Sequence, residues 1–191
     1  MKNKLAKVIS VITAPSLFVI ITLIVLAFTK SEIFGNDSKW LALAVLLLGI
    51  IPVLAYPISY IAKIGRDKER KLAFITSIIG YLMGMAVVVW LKPPKEIAVI
   101  FVAYFMSVVI LAFVNRVIKV KASGHACGVG GPLALILYFF RWRALIALLI
   151  LPIVFWSRMQ IHRHTRRELV IGTLVGMLST IISIILIPKM L

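Results

Sequence analysis

Five stretches of this chain carry almost no charge and run for about twenty residues each: Val8 to Thr29, Trp40 to Ala62, Leu72 to Leu91, Ile97 to Ile118 and Leu169 to Ile187. A helix needs about 20 apolar residues to cross a hydrocarbon layer of roughly 30 Å. In lipid a backbone must satisfy its own polar groups, so such stretches become helices. With 62% hydrophobic residues, the chain has more apolar surface than a soluble domain could cover. The expected fold is an all-α, polytopic transmembrane bundle of six to seven segments, a single domain over residues 1–191. No linker, low-complexity tract or internal repeat divides it. The first stretch follows Lys2, Lys4 and Lys7, is too long for a signal-peptide core and lacks a small-residue cleavage site, so it reads as the first crossing. The lone Cys127 excludes an intrachain disulfide.

Prolines and charges punctuate this pattern. Pro15 interrupts the first crossing, a polar loop covers Lys30 to Lys39, and Pro52 and Pro57 predict kinks in the second. Lys63 to Lys71 is densely charged, Lys92-Pro93-Pro94-Lys95 forms a tight turn, and the fourth crossing ends on Asn115, Arg116, Lys119 and Lys121. Two readings fit the part that follows. One long helix from Gly131 to Trp156 would bury Arg141 and Arg143 mid-membrane, at roughly 2.5–3.5 kcal/mol each. A hairpin instead puts helices at Gly124–Phe140 and Ala144–Trp156 around an interfacial Arg141-Trp142-Arg143 turn. The hairpin is preferred. It brings the charged clusters at 63–71, 116–125 and 157–168 to one side of the membrane.

The formal net charge of +16 first suggests nucleic acid, but the cations lie in short inter-helix segments with no room for a binding domain. Orientation and contact with anionic headgroups explain scattered lysines. They do not explain histidines arriving with them. The stretch from Ser157 to Glu168 holds two of the three histidines. A helix there stacks His164 and Glu168 one turn apart, so the carboxylate can hold one ring nitrogen and leave the other free to attack. Arg158 suits an anionic substrate, most simply phosphate. Ser123-Gly124-His125 falls where a helix begins, and free N–H groups there bind phosphate oxygens. Glu32, Asp37, Asp67, Glu69, Glu96 and Glu168 are too scattered for a two-metal site, so neither a metal nor another cofactor is expected.

Taken with their order, these residues make the chain resemble the type-2 phosphatidic acid phosphatase superfamily, membrane lipid phosphatases related in fold to vanadium haloperoxidases. The family's first motif is a lysine, six residues, then Arg-Pro; here Lys63 precedes Arg70, and Lys71 replaces the proline. The second, Pro-Ser-Gly-His, appears as Ala122-Ser123-Gly124-His125. The third, Ser-Arg, five residues, His, three residues, Asp, appears as Ser157-Arg158, His164 and Glu168, with Glu in place of Asp. The resemblance covers Lys63 to Glu168, over half of the chain. It implies that His164 attacks phosphorus to give a phosphohistidine, that Glu168 orients its ring, and that His125 protonates the leaving oxygen. Lys63, Arg70, Arg158, Ser123 and the Gly124 backbone would hold the phosphate oxygens. Two extra hydrophobic segments between the first and second motifs fit a variant with an inserted membrane hairpin.

The remaining polar residues have plainer readings. His162, Arg163, Arg166 and Arg167 are expected to meet headgroups or solvent, and Arg66 and Lys68 to pair with Asp67 and Glu69. Gly128, Gly130 and Gly131 are expected to allow close helix packing. The expected substrate is a membrane lipid phosphate or isoprenoid diphosphate, and the oligomeric state is left open. Two rival readings remain: a lipid phosphotransferase on the same fold, and a non-catalytic protein that binds or transports lipid headgroups. Lys2, Lys4 and Lys7 lie on the motif side, so the positive-inside rule leans towards a cytoplasmic-facing site in the cell membrane.

Overall fold

A computed structural model describes residues 2–190, with all of their side chains except those of Arg66, Lys189 and Met190. These residues form helices and no strand. In chain order the helices are α1 (Lys2–Ile12), α2 (Pro15–Thr29), α3 (Ser38–Ile61), α4 (Arg66–Leu91), α5 (Lys95–Arg116), α6 (Gly124–Phe140), α7 (Ile150–Gln160) and α8 (Arg166–Met190). Among the described residues, five helical runs are long and apolar enough to cross a membrane, and six if the bent α1–α2 pair forms one span. The protein is an all-α membrane bundle of several crossings.

The polarity of α8 explains why lipid is its solvent. Leu174, Leu178, Ile181 and Ile185 are exposed, whereas Thr173, Ser179, Thr180 and Ser183 are buried. The hydroxyls satisfy themselves on carbonyls, Ser179 on Val175, Ser183 on Ser179, and Thr180 across to Gly131 of α6. Small residues inside and large apolar ones outside is how helices pack in a bilayer. The glycines serve that packing. A Cβ on Gly172 would strike the Ser123 backbone, and one on Gly130 would come within 2.6 Å of the Thr173 carbonyl oxygen. This close approach seats α8 against the start of α6.

The first crossing departs from expectation. Instead of one helix over Val8 to Thr29, the chain bends by 59° between α1 and α2. Proline disfavours helical geometry in the residue before it, and Ala14 accordingly leaves the helix with ψ 137°. The amphipathic α1 folds along α7, with Ala6 and Ser10 buried and Leu5, Val8, Val11 and Ile12 exposed. In α3, the predicted kink takes the form of a π-helical turn over Val45–Ile50 just before Pro52. The widened turn relieves the clash between the proline ring and the carbonyl four residues earlier.

The Gly124–Gln160 run doubles back. Thirty-seven residues of straight helix would span roughly 55 Å, yet its two ends line one cavity, through His125 and Arg158. The break is at Arg141, with φ 55° and ψ −138°. Trp142 beside it is 74% exposed under the Arg143 guanidinium, as the interfacial turn required. The return differs from the expected helix at Ala144–Trp156: a 3-10 helix over Arg141–Leu149 leads into α7. A 3-10 helix rises about 2.0 Å per residue against 1.5 Å for an α-helix. That extra rise lets a short limb reach back to the starting face.

Candidate active site

Where α6 begins, the backbone is held from three sides. The Asn115 side-chain oxygen accepts from the Ala122 N–H at 2.9 Å, while its amide donates to the Leu111 carbonyl at 2.8 Å. The Ser123 N–H donates to the Glu168 carbonyl at 2.9 Å, joining the second motif directly to the third. The Ser123 hydroxyl accepts from the Ala126 N–H, capping the helix. Fully buried in that cap, Ser123 lies apart from the cavity wall, whereas Gly124 and His125 line it. The N–H groups of Gly124 and His125 have no carbonyl a turn behind them, which leaves them for a ligand.

His164 sits in the turn between α7 and α8. Its Nδ1 lies 2.6 Å from Glu168 Oε2, and Lys121 Nζ lies 3.0 Å from the other carboxylate oxygen. A carboxylate accepts, so Nδ1 carries the proton and Nε2 keeps its lone pair. The extra methylene of Glu does not prevent this contact. Burial pushes the His164 pKa below its ordinary value, opposed by the Glu168 hydrogen bond and reinforced by the Arg158 charge. An unprotonated, oriented imidazole can act as a nucleophile near neutral pH.

The N-terminal helix supplies the other supports, and sequence reasoning missed them. The Ser157 hydroxyl donates to the Ala6 carbonyl at 2.7 Å, and an Arg158 guanidinium nitrogen donates to Ser10 Oγ at 2.6 Å. Thr13, in the bend between α1 and α2, donates its one hydroxyl hydrogen to the Ile9 carbonyl at 2.7 Å. It therefore accepts from His125, whose Nε2 stands 3.1 Å away. Ser10, Thr13 and Ser16 recur every three residues and are all buried, a polar stripe within an apolar run that could have been noticed.

One cavity of about 760 Å³ joins these parts. Arg70, Lys121, Arg158, His125, His164 and Gly124 all line it, and among the described residues Asp67 is the sole acidic one in its wall. Such an excess of cations around two imidazoles favours an anion. Lys63 stands elsewhere: it is exposed in the turn after α3, with φ 51°, and does not line the cavity. His162, at φ 52°, is exposed as expected. Lys68 forms no ion pair with Asp67 or Glu69, and the Arg66 side chain lies outside the described residues. Among the described residues no three His, Cys, Asp or Glu side chains are arranged to hold a metal ion.

No family model, curated protein or solved structure matches this chain.

Proposed function

We propose that this protein is a membrane lipid phosphatase of the type-2 phosphatidic acid phosphatase kind, working through a phosphohistidine without a metal. The observation that carries the reading is the His164–Glu168 pair at 2.6 Å in the wall of the same cationic cavity as His125 and Arg158. In the proposed reaction His164 Nε2 attacks phosphorus and the bond from phosphorus to the lipid oxygen breaks. His125, protonated on both ring nitrogens and holding Thr13 through Nε2–H, gives its other proton to that oxygen, which leaves as the lipid alcohol. Arg70, Arg158 and the Gly124 N–H neutralise charge gathering on the other phosphate oxygens. A water then attacks phosphorus while giving a proton back to His125, the P–N bond breaks, and free His164 and inorganic phosphate are returned. Because the cavity reaches from the charged mouth into the bundle, a substrate anchored in the bilayer can present its headgroup there.

Phosphate release from detergent-solubilised protein tests this, with His164→Ala alongside. Loss of turnover by at least 10²-fold is expected, the scale of one lost transition-state group. Unchanged release would remove His164 as nucleophile. Binding without turnover in the parent would favour a headgroup receptor, and a phosphorylated added alcohol would favour a transferase.

A further inference from the structure

Lys121 belongs to none of the three motifs, yet it stands where two of them meet. Its Nζ lies 3.0 Å from Glu168 Oε1, while Oε2 of the same carboxylate accepts from His164 Nδ1–H at 2.6 Å. The two carboxylate oxygens therefore have separate partners, and His164, Glu168 and Lys121 form one chain of contacts. The backbone beside Lys121 is tied to the same glutamate. Two positions on, the Ser123 N–H donates to the Glu168 carbonyl, and the Asn115 side chain holds Ala122 between them. Lys121 thus meets Glu168 from an anchored segment, so closing the pair costs less ordering than it would from a free loop.

A glutamate has one more rotatable bond than the aspartate it replaces in the third motif. Held by the imidazole alone, its carboxylate can pivot and take the ring with it. A second, charge-assisted contact on the other oxygen fixes the plane of the carboxylate and removes that freedom. The same pair contributes little to the fold: the Lys121 side chain is 66% exposed, and ion pairs open to solvent add little stability. Stiffness of the site, not of the molecule, is what the contact can supply. We propose that Lys121 is a positioning residue: by holding Glu168 Oε1 it locks the longer carboxylate in the orientation that aims His164 Nε2 at phosphorus. This rests on the lipid phosphatase reading of the same site.

The test is a double-mutant cycle of Lys121→Met and Glu168→Gln in the detergent-solubilised full chain, with kcat and KM read separately. The probe is a short-chain diacylglycerol phosphate or farnesyl diphosphate, whichever the parent hydrolyses faster. Lys121→Met should lower kcat about fivefold, the upper range for an ion pair open to solvent, with KM within about twofold. Its Tm should match the parent's, because an exposed side chain has been changed. In the Glu168→Gln background, Lys121→Met should cost nothing further, since the charge it pairs with is already gone. An unchanged kcat in Lys121→Met, or the same loss in both backgrounds, overturns the proposal. So does a raised KM at constant kcat, which would make Lys121 a direct phosphate contact. Each of these results leaves the phosphatase reading standing, whereas no phosphate release by the parent from either probe overturns both.

Discussion

The Glu168 carboxylate does two things to His164: it orients the ring, and it raises a pKa that burial lowers. In the proposed reaction the His164 imidazole must be unprotonated to attack, so turnover is expected to fall as pH drops through that pKa. Glu168→Gln removes the raising influence, and the acidic limb of the pH–rate profile should move to lower pH while the maximal rate falls. An unmoved limb would mean that another group controls it. Thr13 makes a second residue-scale case, since its hydroxyl oxygen lies 3.1 Å from His125 Nε2. Thr13→Val keeps the shape and removes the acceptor. It should cut kcat by about three- to tenfold, as one neutral hydrogen bond does. Thr13→Ser should restore the rate, which a loss through packing alone would not allow.

Element packing decides whether those side chains meet at all. Gly172 lets α8 lie against the Ser123 backbone, and the Ser123 N–H bond to the Glu168 carbonyl depends on that approach. Gly172→Val overpacks the contact at a cost of about 1–3 kcal/mol. A lower Tm in detergent together with lost phosphate release is expected, whereas Leu174→Val on the exposed face of the same helix should change neither. Equal behaviour of the two variants would show that the α6–α8 contact does not set the site. At this scale much was legible in the sequence. Proline and charge marked the helix ends, and the Arg-Trp-Arg turn marked the hairpin, since burying two guanidinium groups mid-membrane costs more than turning the chain. The bend at Pro15 was less legible, because a proline alone does not say whether neighbours shelter a kink or the helix breaks outright.

For the molecule as a whole, the side of the membrane on which the cavity opens follows from its charge distribution. Lys2, Lys4 and Lys7 lie on α1, and the Asn3–Gln160 bond keeps that helix beside the end of α7 that leads to His164. By the positive-inside rule we propose a cytoplasmic-facing site. Lys68 is exposed and the native Cys127 is buried, so Lys68→Cys provides a single reporter. An impermeant maleimide should label it only after cells are permeabilised; labelling of intact cells would reverse the orientation.

The sequence by itself determined that this is a helical membrane protein and which charged segments gather at one face. Hydrophobic length and the cost of burying charge are properties of local segments, so they can be read locally. Which residues complete the site was decided only by tertiary structure. Lys63 matches a motif yet stands away from the cavity, while Ser10 and Thr13, unremarkable in an apolar run, touch Arg158 and His125. A hydrogen bond between residues more than a hundred positions apart depends on how helices cross, and no spacing along the chain encodes that.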